Sequence, residues 1–378
     1  MFPKPKNPCF SSGPTAKRPG WSIQALEDVL VGRSHRAKVA LKRIQEVIDL
    51  TREVLQIPQD YYVGIVPGSC TGAMEMALWN LLGPQPVDAY AWDVFGKLWV
   101  DDVKDQLKLK STRTFIETQG RMPPFQDDEP FRDIVLTWNG TTTGAWIPDL
   151  NWLQNDRSGL VIADTTSALL AIEVEWKKLD AAAFSWQKGL GGEAAHGILV
   201  LSPKAIARLE SYTPPWPMPR LLRLKKDGIF LKSIFEGQTL NTPSLLCIED
   251  ARDALLWCQS QGGLPALVER SQKNLKVVSN WVAQTPWVDF LVKNPKFRSS
   301  SSITLDLIDV PESLKWDVIH GIRDALDAEN VAYDINGHIL SSPCLRLWGG
   351  PMIDSQDMEK ILPWIDRAYK KVINEIKK

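Results

Sequence analysis

Lys188 stands in Ala181-Ala-Ala-Phe-Ser-Trp-Gln-Lys-Gly-Leu-Gly-Gly192, after small apolar residues and before a glycine-rich turn. Small neighbours admit a bulky planar ligand, and a lysine removed from water loses basicity, which frees its amine for Schiff-base chemistry. The ordinary alternative is a lysine in a surface loop. Earlier in the chain, Leu160-Val-Ile-Ala-Asp-Thr-Thr-Ser167 ends an apolar run with Asp164. A carboxylate there suits a protonated pyridine nitrogen, and a ring so charged draws electrons from a carbanion beside it. Alone, Asp164 reads equally as a helix N-cap or a turn residue. The order aspartate then lysine on successive apolar runs favours one shared site.

Two polar turns supply further candidates. Val66-Pro-Gly-Ser-Cys-Thr-Gly-Ala73 follows an apolar run and opens a helix rich in Met, Ala and Leu, so Ser69, Cys70 and Thr71 stand where an anion would meet the positive helix end. A plain N-cap is the alternative. Asn139-Gly-Thr-Thr-Thr-Gly144 is the second, and an ordinary loop accounts for it as well.

The elements that must position these residues alternate. Apolar runs at Tyr61–Val66, Asp88–Trp92, Thr112–Thr118, Ile134–Trp138, Leu160–Ala163, Ala181–Trp186 and Gly197–Leu201 are interleaved with helical periodicity at Thr71–Leu82 and Lys97–Leu109. That alternation predicts an α/β domain with a mostly parallel sheet of seven strands, with ligands outside the carboxyl ends of the strands. After the Pro-rich stretch Thr213–Pro219, helices are expected at Ser244–Gly262 and Leu264–Gln284. A Ser-rich strand at Phe297–Leu307, a helix at Leu314–Asn330, a short strand at Leu345–Trp348 and a helix at Ser355–Lys378 follow. This change of pattern predicts a smaller α+β domain over residues 256–378, behind a large domain over 1–255. The N-terminal segment has a place open to it against the small domain.

Composition narrows the classes. With 44 Lys plus Arg against 45 Asp plus Glu there is no uniform field for nucleic acid or an anionic membrane. The chain has no long apolar run of membrane-spanning length and no signal-like h-region, so a cytoplasmic protein is expected. The five cysteines lack CxxC spacing, which speaks for free thiols and against a zinc site. The 16 tryptophans are scattered and read mostly as packing or interface residues. None of the four histidines has metal-ligand spacing, and His196 and His320 read as structural.

Taken in order, Ser11-Ser-Gly-Pro-Thr15, Ser34-His-Arg36, the turn at 68–72, Asn139–Gly144, Asp164, Gln187-Lys188 and Leu240-Asn-Thr-Pro243 resemble the phosphoserine aminotransferase family. That family belongs to the class V, fold type I group of enzymes dependent on pyridoxal 5'-phosphate (PLP), and the likeness spans nearly the whole chain. It implies Lys188 and Asp164 as catalytic residues, and Ser69, Cys70, Thr71 and Gln187 at the cofactor phosphate. Thr141 falls near the ring's phenolic oxygen and Phe95 on the ring face, with Trp99 an open alternative. Asn241 and Thr242 would reach the cofactor of the neighbouring subunit in a homodimer. His35, Arg36 and His338 match the residues for the distal phosphate or carboxylate, and Arg346 the arginine for the α-carboxylate. At His338-Ile339 the sequence departs from a family pattern of His-Arg; Arg33 or Arg220 are the candidates to replace the missing cation.

The expected reaction moves an amino group between glutamate and 3-phosphohydroxypyruvate, giving 2-oxoglutarate and phosphoserine in serine biosynthesis. A side role in pyridoxine biosynthesis is one the family sometimes has. The alternatives are another class V enzyme, of the alanine:glyoxylate or desulfurase type, and a non-catalytic binding protein that keeps the fold.

Overall fold

The computed structural model describes residues 2–376; Met1, Lys377 and Lys378, at the ends of the expected domains, lie outside. A seven-stranded sheet is formed by β1 (Tyr62–Pro67), β2 (Val87–Ala91), β3 (Thr112–Ile116), β4 (Asp133–Thr137), β5 (Val161–Asp164), β6 (Ala181–Ser185) and β7 (His196–Leu201), in the order β1-β7-β6-β5-β4-β2-β3. Only β7 runs against its neighbours β1 and β6; the other pairings are parallel. Strands β2, β4, β5, β6 and β7 are buried throughout, which is why they read as unbroken apolar runs rather than as alternation.

Helices cover the sheet. On one side α2 (Ser69–Leu81), α3 (Val94–Asp101) and α4 (Pro203–Ser211) enclose a core containing Met74, Leu78, Trp99 and Leu199. On the other, α1 (Lys38–Val54) and α5 (Leu245–Ser260) pack over Trp92, Trp138 and Trp186. Helix α1, which is not among the expected helices, buries Ala40, Ile44, Val47, Ile48, Thr51 and Val54, a stripe at three- and four-residue steps. Helix α4 is signalled by Ser202, whose hydroxyl accepts from the Ala205 amide, and by Pro203 at its first position. The helix expected over Lys97–Leu109 is split: α3 gives way at Asp102 to a π-helical turn, Asp102–Gln106.

A two-residue hairpin, β8 (Lys225–Lys226) with β9 (Ile229–Phe230), precedes α5. Then α6 (Gly263–Val282) joins two cores: Leu264 and Leu267 belong to the first, Val278 to the second. The second core is built by β10 (Val288–Phe290), β11 (Ser302–Leu307), β12 (Leu345–Trp348), α7 (Lys315–Ala328) and α8 (Ser355–Ile376). The N-terminal segment completes it: Phe10 is fully buried there, its carbonyl accepts from the Trp348 amide, and Cys9 bridges to Tyr333.

The Ser-rich run becomes a strand only from Ser302. Before that, the Ser301 hydroxyl donates to the Ser167 carbonyl at 2.6 Å, Ser300 donates to the Ala171 carbonyl at 3.0 Å, and Asn139 Nδ2 donates to Ser301 at 3.2 Å. These residues join the two parts of the chain through buried hydrogen bonds, which replace a strand ladder.

Candidate active site

At the carboxyl ends of β5 and β6 lies a cavity of about 280 Å³, lined by Gly13, Pro14, Ser69, Cys70, Thr71, Phe95, Trp99, Thr141, Asp164, Thr166, Gln187, Lys188 and Ala194. The parallel strands bring Asp164, the last residue of β5, beside Ala183 of β6, and the turn after β6 carries Gln187 and Lys188 to the same opening.

Lys188 is buried, and its amine donates to the Ser12 carbonyl rather than to a carboxylate. Burial first, and then the positive charge of Arg346, push its pKa down to about 8. The segment that holds it comes from the far N-terminus: Thr15 Oγ1 donates to the Lys188 carbonyl at 2.6 Å, and the Thr15 amide to the Gln187 carbonyl at 3.0 Å. A Cβ on Gly13 would strike Lys188 Nζ, so glycine there leaves room over the amine.

Asp164 is equally buried and has no cation in salt-bridge contact among the described residues. It accepts instead from neutral donors: the Thr166 amide at 2.9 Å, Trp99 Nε1 at 3.1 Å and the Cys70 thiol at 3.4 Å. Asp93 caps α3 by accepting from the Gly96 amide at 2.7 Å, and burial pushes its carboxyl up to about 6.

Positive potential is offered at the start of α2 and by Arg346, which touches the lining at Thr141. The first turn of α2 opens at Gly68, whose φ of 85° needs glycine, and no side chain caps it. Its amide groups are therefore available to an anion beside Ser69, Cys70 and Thr71. Arg346, on β12, donates to the Thr141 carbonyl at 3.3 Å, while its Nε is buried without a partner. Burial lowers its pKa. His338 stands edge-on to Phe95 at 5.9 Å; burial, and after it Arg346 and Lys188, lower its pKa as well.

No family model matches the chain. A phosphoserine aminotransferase from Methanosarcina mazei is 47% identical to it over 365 residues, covering 97% of each chain. This chain belongs to the phosphoserine aminotransferase family. The fold of a phosphoserine aminotransferase from Cytophaga hutchinsonii superimposes with a TM-score of 0.79 at 17% identity, over 95% of this chain and 98% of that one. An alanine–glyoxylate aminotransferase from Nostoc does so with a TM-score of 0.77 at 19% identity, over 97% and 96%. These two likenesses establish the fold type I architecture and nothing finer.

The family's cofactor is PLP, and the cavity fits it. The amine of Lys188 has no competing carboxylate, Asp164 keeps acceptor capacity, α2 offers an uncapped N-terminus, and Gln187 Oε1 is buried without a partner.

Not every expected residue reaches the cavity. Asn241 and Thr242 are exposed and line no part of it, and the same holds for Arg36, with His35 half-buried beside it. Ile339 is 85% exposed, and Arg33 and Arg220 are exposed away from the cavity lining. His196 accepts from the Ser244 amide at 3.1 Å, and His320 stacks on Trp316; both read as structural. The sequence reading gave no role to Thr166 or Asp93. Asp93 carried a signal, as an aspartate three residues before Gly96 just past a strand; Thr166 carried none.

Proposed function

We propose that this chain transfers an amino group between glutamate and 3-phosphohydroxypyruvate, forming 2-oxoglutarate and O-phospho-L-serine, with PLP on Lys188. The observation that carries the reading is the pairing of a buried, low-pKa lysine with a buried carboxylate in one cavity at the ends of adjacent parallel strands. It is supported by membership of the family.

When bound, PLP supplies an aldehyde for amines to condense with and a cationic pyridine ring that draws electron density from the carbon losing its proton. Lys188 moves that proton, serving as base and then as acid, and its depressed pKa keeps the amine able to do both near neutral pH. Asp164 would accept from the ring N–H and favour the cationic form. Ser69, Cys70 and Thr71 with the α2 amides, assisted by Gln187, bind the phosphate. Thr141 would lie near the phenolic oxygen and Phe95 would cover the ring face, while the Trp99 indole nitrogen is engaged with Asp164.

Arg346 receives the α-carboxylate common to both amino donors. His338, beside Phe95, would receive the distal anion; His35 and Arg36, which line no part of the cavity in the single chain, would join it only in a homodimer, as would Asn241 and Thr242, which would reach the phosphate of the partner subunit's cofactor. Among the described residues no helix is long and apolar enough to cross a membrane. The proposed reaction and the five free cysteines support a cytoplasmic location.

A half-reaction assay tests the substrate class. Phosphoserine and glutamate should convert the absorbance of the bound cofactor rapidly, with serine and alanine far slower. Preference for alanine over phosphoserine would place the chain with the alanine:glyoxylate type, for which the apolar Ile339 is the observation in favour.

A further inference from the structure

Asp164 is gripped from both sides, and the two oxygens are gripped differently. Oδ1 accepts from the Thr166 amide at 2.9 Å and from the Cys70 thiol at 3.4 Å. Oδ2 accepts only from the Trp99 indole N–H, at 3.1 Å. The thiol is aimed: Thr166 Oγ1 donates to Cys70 Sγ at 2.6 Å, which uses the sulfur as acceptor and leaves its S–H for the carboxylate. A carboxylate offers about four lone-pair positions. Two are taken on Oδ1 and one on Oδ2, so the open position is the second lone pair of Oδ2.

Trp99 is held in place by its helix. Asp93 caps α3 through the Gly96 amide, and the Val94 amide donates to Thr142 Oγ1 at 3.1 Å, which ties the helix start to the Asn139–Gly144 turn. Trp99 is 4% exposed, and among the described residues its N–H has no other partner.

We infer that Trp99 is a positioning residue for the amino transfer: its indole N–H fixes Oδ2 of Asp164 so that the remaining lone pair of that oxygen meets the ring nitrogen of the cofactor. The inference rests on the PLP reading above. A donor on the carboxylate favours its ionised form, and an ionised Asp164 leaves the shared proton on the ring, where it strengthens electron withdrawal. Removing the donor moves the proton toward the carboxylate and weakens the pull on the α-carbon.

The test compares PLP with its 1-deaza analogue, in which C–H replaces the ring nitrogen, in equilibrium binding to the apo-protein. In Trp99→Phe, affinity for PLP should fall about tenfold, whereas affinity for the analogue should change less than about twofold. The rate of the glutamate half-reaction should fall with KM held within about twofold. Equal losses for both ligands, or no loss for PLP, would overturn the inference, since a residue that merely fills space treats the two alike. Where Trp99→Phe does not fold, 3-benzothienylalanine at position 99 keeps the bicycle, replaces only the N–H, and is judged by the same contrast. Failure of the native protein to bind PLP would instead sink the reading of the site.

Discussion

The two ends of the central sheet treat buried charge in opposite ways. At the amino ends of the strands every buried carboxylate is matched. Asp88 accepts from Arg113 at 2.8 Å and Arg132 at 2.6 Å, Asp133 meets Arg208 at 2.9 Å, and Asp180 accepts from Ser202 at 2.9 Å with Lys204 at 3.4 Å. At the carboxyl ends Asp164, Asp93, Lys188 and Arg346 make hydrogen bonds to neutral groups, and none has an oppositely charged partner in salt-bridge reach among the described residues. Matched charges hold strands and helices in register; unmatched ones keep their capacity for a ligand and cost stability until one binds. That division separates scaffold from chemistry without reference to any relative.

The largest effect expected from breaking the division is at Lys188. Lys188→Ala should lower turnover by roughly four orders of magnitude and abolish the absorbance of the covalently held cofactor, with the fold intact by circular dichroism. Retained turnover would move the lysine to the scaffold class. The converse experiment is at Asp88, whose removal takes the buried carboxylate from between Arg113 and Arg132 and leaves them only the more exposed Glu129, with Asp128 beside Arg113. Asp88→Ala should cost roughly 3–5 kcal/mol in denaturant unfolding while the folded fraction keeps its kcat/KM within about twofold. A specific loss of rate there would show that the two ends are coupled. Asp164→Ala should reverse the pattern, with unfolding stability little changed and the half-reaction slowed roughly 10²–10³-fold.

The matched and unmatched ends were not equally legible in the sequence. Five of the seven strands are buried throughout and so stand out as continuous apolar runs, and Asp164 and Lys188 were readable because each closely follows such a run. What reaches the site from elsewhere was not. Ser12 and Thr15 meet Lys188 across more than 170 positions, and Arg346 meets Thr141 across 205. No local period encodes such a contact; only the family likeness named Arg346. Trp99 was readable as an aromatic residue near the ring but not as a donor to Asp164, because that bond depends on how α3 leaves β2. The split of the expected Lys97–Leu109 helix by a π turn is a related loss, since the apolar spacing continues across it. The ionic scaffold went unread for the opposite reason: Asp88, Arg113 and Arg132 look in sequence like ordinary surface charges.

The finest probe of the unmatched end is Arg346, because its charge lowers the basicity of Lys188 and is also the one proposed to receive the substrate's α-carboxylate. In Arg346→Met the KM for glutamate and for phosphoserine should rise together, roughly 10- to 100-fold, since both present an α-carboxylate. The effect on Lys188 is smaller and has a fixed sign. Only the neutral amine captures an aldehyde, so the rate at which native apo-protein takes up PLP should rise with pH through about 8 and level off above it. Burial is the main cause of that low value and the Arg346 charge the second. Replacing the arginine leaves burial opposed by Asp164, Cys70 and Asp93, so the midpoint must move to higher pH, and uptake at neutral pH must slow. A midpoint that stays put would mean that solvent or an unseen counter-charge already neutralises Arg346, and the guanidinium would then belong with the matched residues of the sheet's other end.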